Sequence, residues 1–346
     1  MKKVLHILNS SSFSGAESVS ISIINMLKDN KNYTGIYASL SGSIENVIAE
    51  NDIQFIQIKK MNFFEIRKMI KKINPDIIHT HDFTASIITS LIVRNIPIIS
   101  HIHNNAPWLK KINHRTVAFY ISILLTKKTL IVSPSIQNEY VFKKVIPNKL
   151  INIGNPIDAK KIIKLSEERC SQFFDIIFIG RLEKAKNPIK FLEIVSKLKK
   201  SMPDIKVGII GNGSLKNECE KIAYDLGLIN NLNFLGFEHN PYKYLSKSKI
   251  LCMTSTYEGY GLVAAEALVL GKPVVAPSIG GLPTIVNEHC GKLTNDDSEY
   301  INEIIELLTN KNYYSSKSKS AIENSFTNKK FEEYMRKITE EYKLYS

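Results

Sequence analysis

Two acids stand eight residues apart in the stretch Thr254 to Gly280, at Glu258 and Glu266. The apolar run before them, Ile250-Leu251-Cys252-Met253, reads as a buried strand. Glu258-Gly259-Tyr260-Gly261 reads as a loop whose glycines let the backbone approach a ligand closely. Leu262 to Leu270 reads as a helix closed by Gly271, with Pro273 just beyond. A strand, a glycine loop and a helix start together favour an anion, because unpaired N–H groups and the helix dipole converge there. Glu258 precedes the helix and can face a ligand across the loop. Glu266 lies about one turn inside an otherwise apolar helix, where a carboxylate is costly unless a polar group meets it. The plainer alternative is a solvated Glu266 beside an ordinary turn.

A second cluster follows another apolar run, Phe174 to Ile179. There Gly180-Arg181-Leu182-Glu183-Lys184-Ala185-Lys186 leads towards a helix. Arg181 and Lys186 flank this loop, and two cations so placed can grip a diphosphate. The next run, Val207 to Ile210, is followed by Gly211-Asn212-Gly213-Ser214-Leu215. A lone Gly-x-Gly is weak, and without the third Gly and the expected acid it does not read as a dinucleotide site. Four of the eight histidines sit at two strand ends, in His79-Thr80-His81-Asp82 and His101-Ile102-His103-Asn104. Alternation puts His79 with His81, and His101 with His103, on common faces. Buried structural histidines and a zinc site both stay open; the pairs lack the usual structural-zinc spacing with Cys.

The elements that must position these groups alternate throughout. In the first half, strand-like runs at Val4–Leu8, Gly35–Leu40, Ile53–Ile58, Asp76–Thr80, Ile96–Ile102, Thr129–Ser133 and Leu150–Ile153 alternate with helical patterns. The rhythm resumes near Phe174 after a charged boundary at Ile157–Gln172. This predicts α/β domains with parallel, doubly wound sheets. Ligands of such sheets bind beyond the carboxyl ends of the strands, where the acids, cations and histidines fall.

The chain has 346 residues, 44% of them hydrophobic, enough for two cores. Its four cysteines are widely spaced, so neither a disulfide framework nor a Cys-based metal site is expected, and a reducing compartment is. Met1-Lys2-Lys3 runs straight into a short strand and does not read as a signal peptide. The net charge of +13 favours anionic partners, but no basic stripe interleaved with aromatics points to nucleic acid. Pro107 to Thr126 is a single amphipathic candidate. Core packing explains its apolar part, Val117–Leu125. Its start, with Trp108, Lys110, Lys111, His114 and Arg115, suits an anionic membrane surface or a lipid phosphate.

Taken together, these motifs resemble the retaining glycosyltransferases of family 4, with the GT-B fold. Glu258 and Glu266 match the family's Glu-x7-Glu signature; Gly180-Arg181-Leu182 with Lys186 matches its Gly-Arg-Leu-x3-Lys loop. Gly213 falls in a Gly-x-Gly-x-Leu loop, and Gly15 in a Gly-Gly-Ala-Glu-like loop with Ser14 in place of the first Gly. Asn155-Pro156-Ile157-Asp158 resembles an Asn-Gly-Ile-Asp turn, with Pro156 replacing Gly. Gly280-Gly281 and Gly291-Lys292-Leu293 extend the match, although Thr284 or Ile285 stands where an acid is often seen.

The resemblance implies an N-terminal acceptor domain (1–160), a C-terminal nucleotide-sugar domain (161–328) facing it across a cleft, and a last helix (329–346) packing back on the first. It implies that Arg181 and Lys186 bind the leaving diphosphate and that Glu266 holds the ribose. Glu258, Gly259, Tyr260, Gly261 and Leu262 would hold the sugar or phosphate. His103, more than His101 or His81, would stand by the reacting centre, and the loop from Phe237 to His239 would meet the base.

The implied activity is metal-independent transfer of a sugar, with a UDP-sugar favoured as donor and no other cofactor. The acceptor would be a glycan or a polyprenyl-diphosphate-linked oligosaccharide at the cytoplasmic face of a bacterial membrane. A sugar-nucleotide epimerase and a non-catalytic nucleotide-sugar-binding subunit are the alternatives.

Overall fold

A computed structural model describes residues 1–29, 32–146, 148–325 and 328–345. Phe326, Thr327 and Ser346, which fall within the expected domain and helix ranges, lie outside the described residues. The chain divides into two compact units: Met1–Pro156 together with Glu332–Ser346, and Ile157–Phe331.

The first unit holds strands β1 (Lys2–Ile7), β2 (Tyr33–Leu40), β3 (Gln54–Ile58), β4 (Ile77–Thr80), β5 (Ile98–Ile102), β6 (Lys128–Ile131) and β7 (Leu150–Asn152). Among the described residues they form one parallel sheet in the order β3-β2-β1-β4-β5-β6-β7. The chain therefore runs outward from β1 to β3, returns to β4, and runs outward the other way. The β1/β4 seam is the point where strand order reverses. One core lies around Leu5, Ile36, Ile66, Ile78 and Ile98. Another gathers Ile21, Ile24, Tyr37, Ile44 and Ile48.

The second unit holds β8 (Phe174–Ile179), β9 (Val207–Ile210), β10 (Leu232–Gly236), β11 (Ser248–Cys252), β12 (Val274–Ala276) and β13 (Gly291–Leu293). Their order is β10-β9-β8-β11-β12-β13, again all parallel, with the reversal between β8 and β11. Phe178, Phe191, Ile194, Ile209 and Ile250 pack in its core, closed from the helix Asp297–Thr309 by Tyr300 and Ile304. Both units are thus doubly wound, Rossmann-like sheets, and the molecule has the GT-B fold class.

The last helix, Asn328–Tyr345, belongs to the first unit from Glu332 onward. Tyr342 is fully buried there, and its hydroxyl lies 2.6 Å from His79 Nδ1.

The amphipathic candidate is not one helix. Pro107–Lys110 is a 3-10 turn, and a new helix, His114–Leu125, starts at Asn113 with a capping box closed by Thr116. Its packing inverts the expectation of an apolar face turned inward. Thr116 and Ser122 are buried beside Phe119 and Ile123, whereas Val117, Ile121, Leu124 and Leu125 are each about 40% exposed. They recur at helical spacing and so share one outer face. Ile112, at 71% exposed, extends the patch beside exposed Lys110, Lys111, His114 and Arg115.

Candidate functional site

The β8/β11 seam collects the acids and cations of the second unit. Arg181 and Lys186 follow β8, and Glu258 follows β11. Lys186 Nζ meets Glu258 Oε2 at 2.5 Å, and Ser255 Oγ adds a 3.2 Å hydrogen bond to the same oxygen. The two side chains are only 22% and 12% exposed. Around the pair, the loops are tied together. Thr254 Oγ1 donates to the carbonyls of Lys186 (3.1 Å) and Asn187 (2.8 Å), and the Thr256 amide donates to Ala185 O at 2.9 Å. Asn187, with φ of 48°, makes the turn into the helix that Pro188 begins. Arg181 is exposed and forms no ion pair among the described residues, so its guanidinium is available to an anion.

The floor of the loop explains its glycines. Gly261 takes φ of 104° as the N-cap of the helix Leu262–Val269. A Cβ on Gly280 (φ 54°) would lie 1.7 Å from the carbonyl oxygen of Glu258, and one on Gly281 would lie 2.6 Å from that of Gly259. Gly280 and Gly281 thus support the Glu258–Gly261 backbone from below. The neighbouring loop is built the same way. The Leu182 amide donates to Asn212 O at 2.9 Å, and a Cβ on Gly213 would lie 2.4 Å from Leu182 O. Gly213 therefore seats the Arg181 loop.

Glu266 points from the helix Leu262–Val269 and accepts from Tyr242 Oη at 3.0 Å. Burial pushes its carboxyl up to about 7, with the Tyr242 hydrogen bond pulling the other way. It is therefore neither a solvated surface acid nor a settled ion pair; its environment holds a carboxyl short of partners. Tyr260 is 6% exposed, so its ring is buried. Phe237 is 49% exposed, with His239 edge-on to it at 5.0 Å. Asp296 caps the helix Asp297–Thr309, accepting from the Ser298 and Glu299 amides. Asp297 binds Lys190 and Lys197, each at 2.9 Å.

In the first unit the corresponding seam lies between β1 and β4. The Asn9 amide donates to Asp82 Oδ2 at 2.6 Å, joining the loops after the two strands. Gly15 begins the helix Gly15–Asp29, where the Ser14 hydroxyl binds the Glu17 carboxylate. A Ser in place of Gly strains a loop only where φ is positive, and Ser14 is not among the residues that adopt a positive φ. His103 belongs to a cluster with His6, His79, His81 and His101 on one face of the sheet. His6 lies opposite His79 in the β1–β4 register. His81 Nε2 is 2.9 Å from His6 Nδ1, and His81 Nδ1 is 3.1 Å from His103 Nε2. Burial lowers all five rings, His6 and His103 to about 3, so they are neutral at physiological pH.

Sequence reasoning missed His6, Ser255, Tyr242 and Asn155. His6, Tyr242 and Asn155 act through partners on other elements, 75, 24 and 52 residues away, and Ser255 through Glu258 three residues on in the same loop. Only the Ser255–Glu258 spacing is readable locally.

Residues 160–327 match the family described as glycosyl transferases group 1, and residues 52–161 match glycosyltransferase family 4. A Campylobacter jejuni relative is 30% identical over 72% of this chain and 69% of its own length. Its name is GalNAc-alpha-(1->4)-GalNAc-alpha-(1->3)-diNAcBac-PP-undecaprenol alpha-1,4-N-acetyl-D-galactosaminyltransferase. The chain belongs to the group 1, family 4 glycosyltransferases. An Escherichia coli member, UDP-Gal:alpha-D-GlcNAc-diphosphoundecaprenol alpha-1,3-galactosyltransferase, is 26% identical over 94% of this chain and 93% of its own. Two further relatives are matched over only 58% and 55% of their own lengths. Among solved structures, Anabaena HepE in complex with UDP superposes with a TM-score of 0.83. It is 17% identical and covers 99% of this chain and 100% of its own, a likeness of fold.

The Glu266 shift carries a consequence for stability. An ordinary glutamate titrates near 4.5, so between about 4.5 and about 7 the native state holds a proton that the unfolded chain has released. Native stability therefore falls as pH rises through that window, by on the order of 2–3 kcal/mol from this group. Urea unfolding of wild type and Glu266→Gln across the window should show a steeper decline in wild type. Equal slopes would mean that Glu266 is solvated after all.

Proposed function

We propose that this chain is a retaining glycosyltransferase that moves a sugar from a UDP-sugar to a hydroxyl of a lipid-linked oligosaccharide during bacterial surface-polysaccharide assembly. The observation that carries it is the Lys186–Glu258 pair at the β8/β11 seam, with Arg181 beside it and a glycine-capped helix start opposite. Relatives named for undecaprenol-linked acceptors support the acceptor class. The UDP bound to HepE supports the donor class.

Sugar transfer from a nucleotide donor needs negative charge stabilised on the departing diphosphate. Arg181, Lys186 and the amides at Gly261 and Leu262 would supply this without a metal ion. Glu258 is an acceptor for hydroxyls of the transferred sugar and also holds Lys186 in place. Glu266 receives the ribose hydroxyls, which donate to it and so meet its need for partners. The family resemblance gives His103 a role near the reacting centre, and Phe237 would offer a stacking surface to the base. Retention follows when the acceptor attacks from the side of the leaving group, whose phosphate oxygen takes the acceptor proton.

The outer face of the helix His114–Leu125 supports contact with an anionic bilayer. Aliphatic side chains there leave water while Lys110, Lys111 and Arg115 meet lipid phosphates. No helix among the described residues is long and apolar enough to cross a membrane, so this contact would be peripheral.

Two experiments test these assignments. With a matched UDP-sugar and undecaprenyl-diphosphate acceptor, Lys186→Ala or Glu258→Ala should lower kcat at least about 100-fold while the fold persists. Proton NMR of the product should show the donor's anomeric configuration. Full activity in a folded variant, or an inverted product, would contradict the mechanism. In vesicle flotation, wild type should float with anionic liposomes at low salt and be released by high salt. Ile121→Asp with Leu124→Asp should stay in solution; equal flotation of wild type and the double variant would refute this surface.

A further inference from the structure

Tyr242 joins two segments that the donor reading gives separate tasks. One is the loop after β10, read as meeting the base. The other is the helix Leu262–Val269, whose Glu266 is read as holding the ribose. The loop runs on through Asn240 and turns into the short helix Tyr242–Ser246. Its end is pinned twice. Asn240 Nδ2 donates to Leu165 O at 2.8 Å, and Asn240 Oδ1 accepts from the Tyr242 amide at 3.1 Å. From the same residue, the Tyr242 hydroxyl reaches Glu266 Oε1 at 3.0 Å. The backbone of Tyr242 is thus tied to the loop and its side chain to the acid. The helices Tyr242–Ser246 and Leu262–Val269 both pack on the helix Ala159–Ser166, which carries Leu165.

Chemistry sets the direction of the Tyr242–Glu266 bond. Burial, and after it the charge of Glu266, raise the Tyr242 hydroxyl well above the ordinary phenol range, so it keeps its proton and donates. A phenol has one proton to give, and Oε1 takes it. Glu266 Oε2 has no partner among the described residues, and it is not among the fully buried polar atoms that lack one. One oxygen is anchored and the other is open. A loose glutamate would give up its rotamer freedom only when a ligand arrived, at a cost to affinity. Tyr242 removes that freedom in advance.

We propose that Tyr242 is a positioning residue that holds Glu266 with Oε2 free for a ribose hydroxyl, and that this bond sets how strongly the site tells a ribonucleotide from its deoxy counterpart. The proposal rests on the reading of Glu266 as the ribose acid. A fixed acceptor rejects an analogue that lacks the hydroxyl, because the acceptor is then left unmet. A loose carboxylate turns to water instead, and the discrimination shrinks. Tyr242→Phe keeps the ring and removes one oxygen. The carboxyl then loses its anchor, and with it the hydrogen bond that opposes the effect of burial on its proton. Both changes weaken its hold on a hydroxyl that donates to it.

The test is calorimetry of the full chain with UDP, 2′-deoxy-UDP and 3′-deoxy-UDP. Wild type should prefer UDP to at least one deoxy analogue by about tenfold or more. Glu266→Ala should abolish that preference. Tyr242→Phe should cut it to roughly threefold or less, through weaker UDP binding and not through tighter binding of the analogue. A tyrosine that merely packs would lower all three affinities together; an unchanged ratio in Tyr242→Phe, with wild type and Glu266→Ala as expected, would overturn the role of Tyr242 alone. A second measurement needs no variant. In wild type enriched in carbon-13, NMR should show the Tyr242 hydroxyl proton in contact with the Glu266 side chain both with and without UDP. A contact that vanishes when UDP binds would also overturn the role. Wild type that binds all three equally, or Glu266→Ala that keeps the preference, would remove the ribose assignment beneath the proposal. Wild type that binds no UDP would remove the nucleotide reading itself.

Discussion

The ion pair between Lys186 and Glu258 holds the second unit's site in shape. It joins the loops after two strands that are neighbours in space but 72 residues apart in sequence. Both side chains are mostly buried, so each charge depends on the other. Removing one leaves a largely buried, unpaired charge, a fault worth roughly 3–5 kcal/mol when burial is complete. Such a pair is weak evidence for stability but good evidence for geometry. A diphosphate arriving at the seam would compete with Glu258 for Lys186 and free the carboxylate for sugar hydroxyls. Under that reading the pair would hold the loops in place and yield its cation to a bound diphosphate.

The same logic of neighbouring loops runs through both units. Each sheet reverses strand order once, at β1/β4 and at β8/β11, and the carboxyl ends of strands there diverge to leave room for a ligand. Proteins close such seams with backbone contacts that tolerate no side chain. Gly280 and Gly281 press against the Glu258 loop, and Gly213 presses against Leu182. In the first unit the seam is closed by the Asn9–Asp82 hydrogen bond and backed by the histidine line. The last helix contributes Tyr342 to that backing, so the chain's final turns help to set the first unit's interior.

Much of this was legible in the sequence because periodicity and punctuation are local. All seven expected strands of the first half exist, in order, with ends shifted by a few residues at most. The helix Leu262–Val269 and its glycine start were readable from composition, as were Arg181 and Lys186 from their place after a strand. What was not legible depends on pairing between distant segments. Nothing near Lys186 names Glu258 as its partner, and nothing near Glu266 names Tyr242. His6 looked like one residue of an apolar run until the β1–β4 register set it opposite His79. The helix His114–Leu125 misled for a related reason. Its hydrophobic content predicted burial, but the buried face bears Thr116 and Ser122, with Phe119 packed on Phe83 of the helix Phe83–Ile92, and Asn113 starts the helix later than periodicity suggests. β13 was hidden because three residues, Gly291–Leu293, carry no strand period of their own.

The central claim is that the β8/β11 seam is a nucleoside-diphosphate site whose cation is held ready by Glu258. Isothermal titration calorimetry of UDP, with EDTA present, tests it most directly when wild type is compared with Lys186→Gln and Arg181→Gln. The account predicts binding by wild type without added metal and a loss of about tenfold or more in each variant, since each removes one charged contact to the diphosphate. Equal affinities in all three proteins, or binding by wild type that appears only when a divalent metal is supplied, would contradict it.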